Sequence, residues 1–316
     1  MTGKNQLFPA ILFTMLLTVT CAGAAQQQAT AANKNEMSNG QAIVLGVVEG
    51  LTEYLPVSST GHLLIAERIM TIGEESAGHD KEAADAYAVC IQIGAIVAVL
   101  GLYFSRVVQM LKGLLGRDPQ GLRLSINVIA GFLPAAVIGL LFNKLIKAYL
   151  FGPWPVVAAW LAGGLAILAV SARNRKNPKT GRFTGTLDDL TWKMALMIGF
   201  AQCVAMWPGV SRSLMTIIGG LLAGLSLPAA VEFSFLLGVL TLTAATVHDI
   251  YKHGYAMLHA FEPQALSIGV LFAFISAVVS VKWMVAYLNR HGLELFGYYR
   301  VLVALVVGVL LATHVI

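Results

Sequence analysis

Two stretches limit what this chain can become, because each breaks an apolar run with a turn that a continuous membrane helix cannot contain. The first is Gly46-Val47-Val48-Glu49-Gly50-Leu51-Thr52-Glu53-Tyr54-Leu55-Pro56-Val57-Ser58-Ser59-Thr60-Gly61-His62. The second is Gly199-Phe200-Ala201-Gln202-Cys203-Val204-Ala205-Met206-Trp207-Pro208-Gly209-Val210-Ser211-Arg212-Ser213-Leu214. Laid on one another without a gap, Gly46 falls on Gly199, Glu49 on Gln202, Tyr54 on Trp207, Val57 on Val210, Ser58 on Ser211 and Thr60 on Ser213. They read as two halves of one site. A charged side chain at bilayer depth costs roughly 2.5 to 3.5 kcal/mol, so carboxylates, imidazole and guanidinium in such a setting mark function when they face protein or water.

With 57% apolar and 12% charged residues and a mean hydropathy of +0.75, the chain fits an all-α polytopic membrane protein and no soluble class. Cys21, Cys90 and Cys203 are scattered, which leaves no disulfide framework and no metal-type cysteine spacing. There is no long charge run and no basic-aromatic interleaving outside the loops, so nucleic acid is not an expected partner.

Residues 1–40 are expected to be a leader and a polar tether: Lys4, an apolar run from Leu7 to Val19, then Ala22-Gly23-Ala24-Ala25. An uncleaved anchor is the alternative. From 41 to 70 come two apolar pieces interrupted at Pro56 to Gly61, each shorter than the roughly 20 residues a span needs. Non-helical backbone at membrane depth is tolerated where it is buried in protein or lines a wet cavity, which predicts a re-entrant helical hairpin. Thr71 to Asp85 is acidic and expected to be exposed. Spans are predicted near 86–104, 126–142 and 154–171, a second interrupted hairpin at 194–222, and spans near 229–248, 266–288 and 299–316. A re-entrant hairpin plus three transmembrane helices therefore occurs twice, in 41–193 and 194–316, with six full spans in total. Three is odd, so the second copy is inverted relative to the first.

Basic residues set the orientation. Arg106, Lys112, Arg117 and Arg123 fill the connection between the first and second spans, Arg173, Arg175, Lys176, Lys179, Arg182 and Lys193 the 172–193 loop, and Arg290 and Arg300 bracket the last short loop. The positive-inside bias makes these cytoplasmic and puts both termini outside.

Glu49 and Glu53 are four apart, so on a helix they share one face. Close carboxylates share a proton or a cation, and oxygen ligands of this kind suit Mg²⁺ or Ca²⁺. Ser58-Ser59-Thr60-Gly61 is placed to cap the second half-helix, whose N–H groups and dipole favour an anion such as phosphate. Arg212, flanked by Ser211 and Ser213 after Pro208-Gly209, adds a guanidinium fork for phosphate. His62 follows Ser59 by three residues, so the two could approach each other as base and hydroxyl. Glu232, just inside a span, is expected to be a structural partner for the second hairpin.

Glu49-x-x-x-Glu53-x-x-Pro56-Val57-Ser58-Ser59-Thr60-Gly61-His62, with Pro208-Gly209-x-Ser211-Arg212-Ser213-x-x-Thr216, resembles the undecaprenyl-diphosphate phosphatase family associated with bacitracin resistance. The resemblance covers about residues 41 to 316. It implies an integral enzyme of the bacterial cytoplasmic membrane that removes the terminal phosphate of a polyprenyl diphosphate lipid, using a divalent cation at a site open to the outer face. Residue by residue it implies Glu49 and Glu53 as the acidic pair and metal ligands, and Ser59 and His62 as catalytic hydroxyl and imidazole. Arg212, Ser211, Ser213, Ser58, Thr60 and Thr216 are the implied phosphate binders. The attacking oxygen is either Ser59, activated by His62, or a water held by His62 and the carboxylates. Rival readings of the same architecture are a secondary transporter or lipid flippase for a phosphorylated substrate and, more weakly, an anion channel.

Overall fold

The computed structural model describes residues 37–72, 81–176 and 184–315. The expected leader, most of the tether, much of the acidic stretch before Asp85 and part of the 172–193 loop lie outside the described residues. The described chain is helical: α1 Asn39–Thr52, α2 Ser59–Ile69, α3 Lys81–Leu102, α4 Phe104–Leu114, α5 Pro119–Leu150, α6 Pro153–Lys176, α7 Trp192–Val204, α8 Arg212–Leu222, α9 Leu227–Ala260, α10 Pro263–Leu288 and α11 Glu294–Ala312. Among the described residues no strand forms beyond an isolated bridge between Gly185 and Leu225.

Among the described residues six helices are long and apolar enough to cross a membrane: Ala84–Leu102, Pro119–Phe142, Pro153–Ala172, Leu227–Lys252, Pro263–Leu288 and Glu294–Ala312. They coincide with the six expected spans, although the second and the last begin several residues earlier. The last shift corrects one expectation. Arg300 is not at a loop edge but inside α11, and it is fully buried.

The basic connection between the first two spans is also not a loop. Phe104, Val107, Val108, Leu111 and Leu114 recur at helical spacing, and this amphipathic segment folds as α4 with Gly113 set against the backbone of Gly121 and Leu122 on α5. Its Arg106 Nε donates to Glu232 Oε1 of α9 at 2.7 Å. Glu232 is thus a structural partner, but of α4 rather than of the second hairpin.

The short pairs α1/α2 and α7/α8 are wedged between long helices. α1 packs on α10, α7 on α5, α3 on α9 and α6 on α11. Where lipid tails remove any hydrophobic drive for association, close backbone approach between small residues takes over. On α1, Gly46 lies against the backbone of Gly269, and Gly50 against Ala273 and Ser276. Ser280 Oγ donates to the Gly50 carbonyl at 2.9 Å. Gly199 of α7 lies in the same way against Gly131 of α5.

A side chain at position 50 would drive α1 and α10 apart, and overpacking of this kind costs roughly 1–3 kcal/mol. Gly50→Val is expected to lower the Tm of the detergent-solubilised protein by several degrees. Gly101→Ala, where no described atom lies within 4 Å of the added carbon, is expected not to lower it.

Candidate active site

Both short pairs turn in the same manner. α1 ends at Glu53, whose N–H donates to the Glu49 carbonyl at 2.9 Å, and the chain reverses through Tyr54 to Val57. Ser58 then takes φ +74° and caps α2, its Oγ accepting from Gly61 N–H at 3.4 Å. In the second pair Gly209 (φ +95°) makes the turn, and Ser211 (φ +80°) caps α8, accepting from Leu214 N–H at 3.3 Å. The two serines that superpose in sequence therefore share a left-handed conformation that costs a non-glycine residue roughly 1–3 kcal/mol. Both are buried.

The reversals bring the halves together. Arg212 is the first residue of α8, where the helix dipole disfavours a cation. It is held there by Glu53: Nη2 lies 3.0 Å from Glu53 Oε1. Nη1 donates to the Ser234 carbonyl at 3.1 Å, and the guanidinium carbon sits 5.2 Å from the centre of the Tyr54 ring. Among the described residues Arg212 Nε, buried, has no acceptor. The other Glu53 oxygen accepts from Ser59 Oγ. Arginine, carboxylate and serine thus form one continuous chain across the two turns.

Ser213 Oγ donates to the Leu55 carbonyl at 2.8 Å, a second link between the turns, and lies 3.0 Å from Ser211 Oγ. Thr216 Oγ1 is 2.6 Å from Ser234 Oγ and also meets the Arg212 carbonyl. The hydroxyls of Ser58, Ser211, Ser213 and Thr216 are therefore committed to caps and cross-links in this arrangement, while Thr60 is exposed.

His62 departs from its expected pairing with Ser59. Its Nδ1 is 2.6 Å from the Ser58 carbonyl and its Nε2 2.8 Å from the Tyr299 hydroxyl of α11. A carbonyl can only accept, so Nδ1 carries a proton, and in the neutral imidazole Nε2 accepts from Tyr299. The imidazole stacks on the Tyr299 ring at 5.8 Å with 7° between planes and meets Trp160 edge-on at 5.0 Å. Trp160 Nε1 in turn donates to the Val57 carbonyl at 3.0 Å.

Glu49 is wholly buried, and among the described residues neither of its carboxylate oxygens has a hydrogen-bond partner. It lies within electrostatic reach of Glu53 and Arg212. An orphaned carboxylate beside an occupied one fits a divalent cation that takes one or two protein oxygens and completes its shell with phosphate oxygens and water. Among the described residues no group of three or more His, Cys, Asp or Glu is gathered to hold a metal without such help. Gln202, the counterpart of Glu49, is buried with its Oε1 3.4 Å from Thr241 Oγ1.

Sequence reasoning missed Tyr299, Trp160, Ser234 and Arg300. The last carried a signal: an arginine in the apolar run that begins at Leu295 belongs to a span as readily as to a loop.

Among the described residues, six helices of membrane-crossing length and a largely buried arginine–carboxylate–serine chain define a multi-pass membrane protein with a polar centre suited to anion chemistry. The chain belongs to the bacitracin resistance protein BacA family, whose model matches residues 42–306. It is 47% identical over 261 residues, 82% of either chain, to the undecaprenyl-diphosphatase of Sorangium cellulosum strain So ce56. It is 45% identical over 267 residues (84% of this chain, 93% of the relative) to undecaprenyl-diphosphatase 2 of Rhodospirillum rubrum. A third relative, the undecaprenyl-diphosphatase of Nitrosomonas europaea, is 43% identical over 267 residues, 84% of this chain and 92% of its own.

Proposed function

We propose that this chain hydrolyses undecaprenyl diphosphate to undecaprenyl phosphate and inorganic phosphate, recycling a lipid carrier of cell-wall synthesis in the bacterial cytoplasmic membrane. The observation that carries the reading is the Arg212–Glu53–Ser59 chain, assembled from two distant turns in a protein whose relatives bear that activity in their names. Phosphoryl transfer asks chiefly for positioning and charge stabilisation. Arg212, with an unused Nε–H and a fork shared with Glu53, would bind the terminal phosphate by exchanging its carboxylate partner for phosphate oxygens.

Release from Arg212 leaves Glu53 as the base beside Ser59. Ser59 Oγ attacks the terminal phosphorus as its proton passes to Glu53, the anhydride P–O bond breaks, and undecaprenyl phosphate departs. Water then hydrolyses the phosphoserine. In the second route water attacks directly and gives its proton to Glu53. The bonding favours Glu53 over His62 as the base, because neither imidazole nitrogen faces Ser59. His62 instead steadies the Ser58–Ser59 turn. Glu49, with Glu53 alongside, would hold a divalent cation, Mg²⁺ or Ca²⁺, which when bound supplies neutralising charge for the diphosphate.

Ser59→Ala in purified protein tests the covalent route. Phosphate release is expected to fall by at least 10²-fold, as when an activated nucleophile is removed, and wild-type protein quenched during turnover is expected to carry phosphate on Ser59. Undiminished release in Ser59→Ala would eliminate Ser59 as nucleophile. Tyr299→Phe leaves His62 Nε2 without its donor, a loss of about 1–3 kcal/mol at a buried group. It is expected to lower kcat roughly 10-fold, read in the same assay.

The placement in the membrane belongs to the same proposal. The pairs α1/α2 and α7/α8 are read as re-entrant hairpins of an inverted repeat, 41–193 and 194–316. Support comes from the matched serines at positive φ and from the reciprocal packing of α1 on α10 and α7 on α5. With Arg300 removed from the loops, Arg106, Lys112, Arg117 and Arg290 still favour one side as cytoplasmic. The site then opens to the outer face, with both termini outside.

A further inference from the structure

Arg300 is a fully buried cation in mid-membrane sequence, and among the described residues no carboxylate pairs with it. Its two Nη atoms meet backbone carbonyls alone, and among the described residues its buried Nε has no acceptor. Nη1 donates to the Pro56 carbonyl at 3.2 Å, and Nη2 to the carbonyls of Ala159 at 3.0 Å and Gly209 at 2.7 Å. Pro56 and Gly209 occupy the same place in the ungapped superposition of the two turns, each two residues before a serine at positive φ. One side chain thus grips equivalent carbonyls of both turns. Space for it comes from α6, where a Cβ on Gly163 would strike the guanidinium and one on Gly164 would crowd the stem.

A desolvated charge held only by carbonyl dipoles is costly, and a Leu or Met would fill the same volume at no such penalty. The fork geometry is what a single apolar residue cannot supply. The two strained turns are joined directly by the Arg212–Glu53 pair and by Ser213 to Leu55. If the turns drift, Arg212 and Glu53 no longer meet.

We propose that Arg300 is a positioning residue for catalysis: it fixes the separation and register of the two turns so that the phosphate-binding arginine and the Glu53–Ser59 pair stay in reacting geometry. It touches no substrate. This rests on the phosphatase reading above.

The test compares purified wild type, Arg300→Met, Arg300→Lys and Gly163→Ala in detergent, measuring phosphate release from undecaprenyl diphosphate, Tm, and hydrogen exchange in peptides spanning the two turns. Misplacement by about 1 Å is enough for a loss on the order of 100-fold. Arg300→Met is therefore expected to lose about that factor in kcat with KM within roughly 3-fold, and Arg300→Lys to recover part of it. Exchange is expected to rise in both turns and not in the α5–α7 contact. Gly163→Ala keeps the arginine but displaces its head, and is expected to lower kcat about 10-fold, which covers the case in which Arg300→Met does not fold.

Near-normal kcat in Arg300→Met or Gly163→Ala would overturn the proposal, as would exchange that rises throughout the protein. An active wild type with unaffected variants removes only the positioning role, whereas a wild type that releases no phosphate removes the phosphatase reading itself.

Discussion

Glu53→Gln is expected to reduce phosphate release from undecaprenyl diphosphate by about 10³-fold, within the range for loss of a general base. Gln keeps the shape of the side chain: its amide oxygen can accept from Arg212 while its NH2 donates to Ser59 Oγ, so both contacts now made to Glu53 have a substitute, with the direction at Ser59 reversed. What disappears is the negative charge, and with it the ability to take the serine's proton. The variant is expected to be extracted in the same yield and to elute as a single species, with kcat rather than KM carrying the loss. Glu53→Ala differs in kind. It leaves Arg212 at the start of α8 with neither counter-charge nor side-chain acceptor, and removing one partner of a buried pair costs about 3–5 kcal/mol. Its loss of activity is therefore expected to come with a larger fall in Tm than that of Glu53→Gln, which keeps an acceptor for Arg212 though not the charge.

Arg212→Ala is expected to cost on the order of 10⁴-fold, the scale of arginines that stabilise phosphoryl transfer, and Arg212→Lys about 10²- to 10³-fold. The lysine keeps the charge but is a point donor. Arg212 now divides its fork between Glu53 Oε1 and the Ser234 carbonyl while its carbon rests over Tyr54. An ammonium cannot reach both acceptors in those directions and also offer a bidentate face to phosphate. Comparing KM and kcat of the two variants separates loss of binding from loss of transition-state stabilisation. A carrier or flippase would instead give ion or lipid flux in vesicles with no phosphate release from the wild type.

Much of this was legible in the amino-acid order because the strongest signals are long-period ones. Apolar runs of span length, each bounded by Pro, Gly or charge, located the six membrane helices, and the ungapped match of two interrupted stretches pointed to Glu53 and Arg212 before any contact was known. Three features were not legible, each for a definable reason. The helix Phe104–Leu114 carries Arg106 and Lys112, so a search for continuous apolarity passes over it although its apolar residues recur at helical spacing. Arg300 was read as a loop charge because carbonyls from Pro56, Ala159 and Gly209 that offset its burial come from three other segments. Helical spacing and the family resemblance both pair Ser59 with His62. The positive φ at Ser58 starts a new helix back towards the end of α1, so Ser59 meets Glu53 while His62 turns to Tyr299 on α11.

The meeting of two distant turns in one chemical unit is tested most directly by a double-mutant cycle in phosphate release, using wild type, Glu53→Gln, Arg212→Lys and the double variant. Residues that act together lose activity non-additively. The double variant is expected to be no more than about 10-fold slower than the worse single variant. Losses that multiply would show Glu53 and Arg212 to act independently and contradict a shared site.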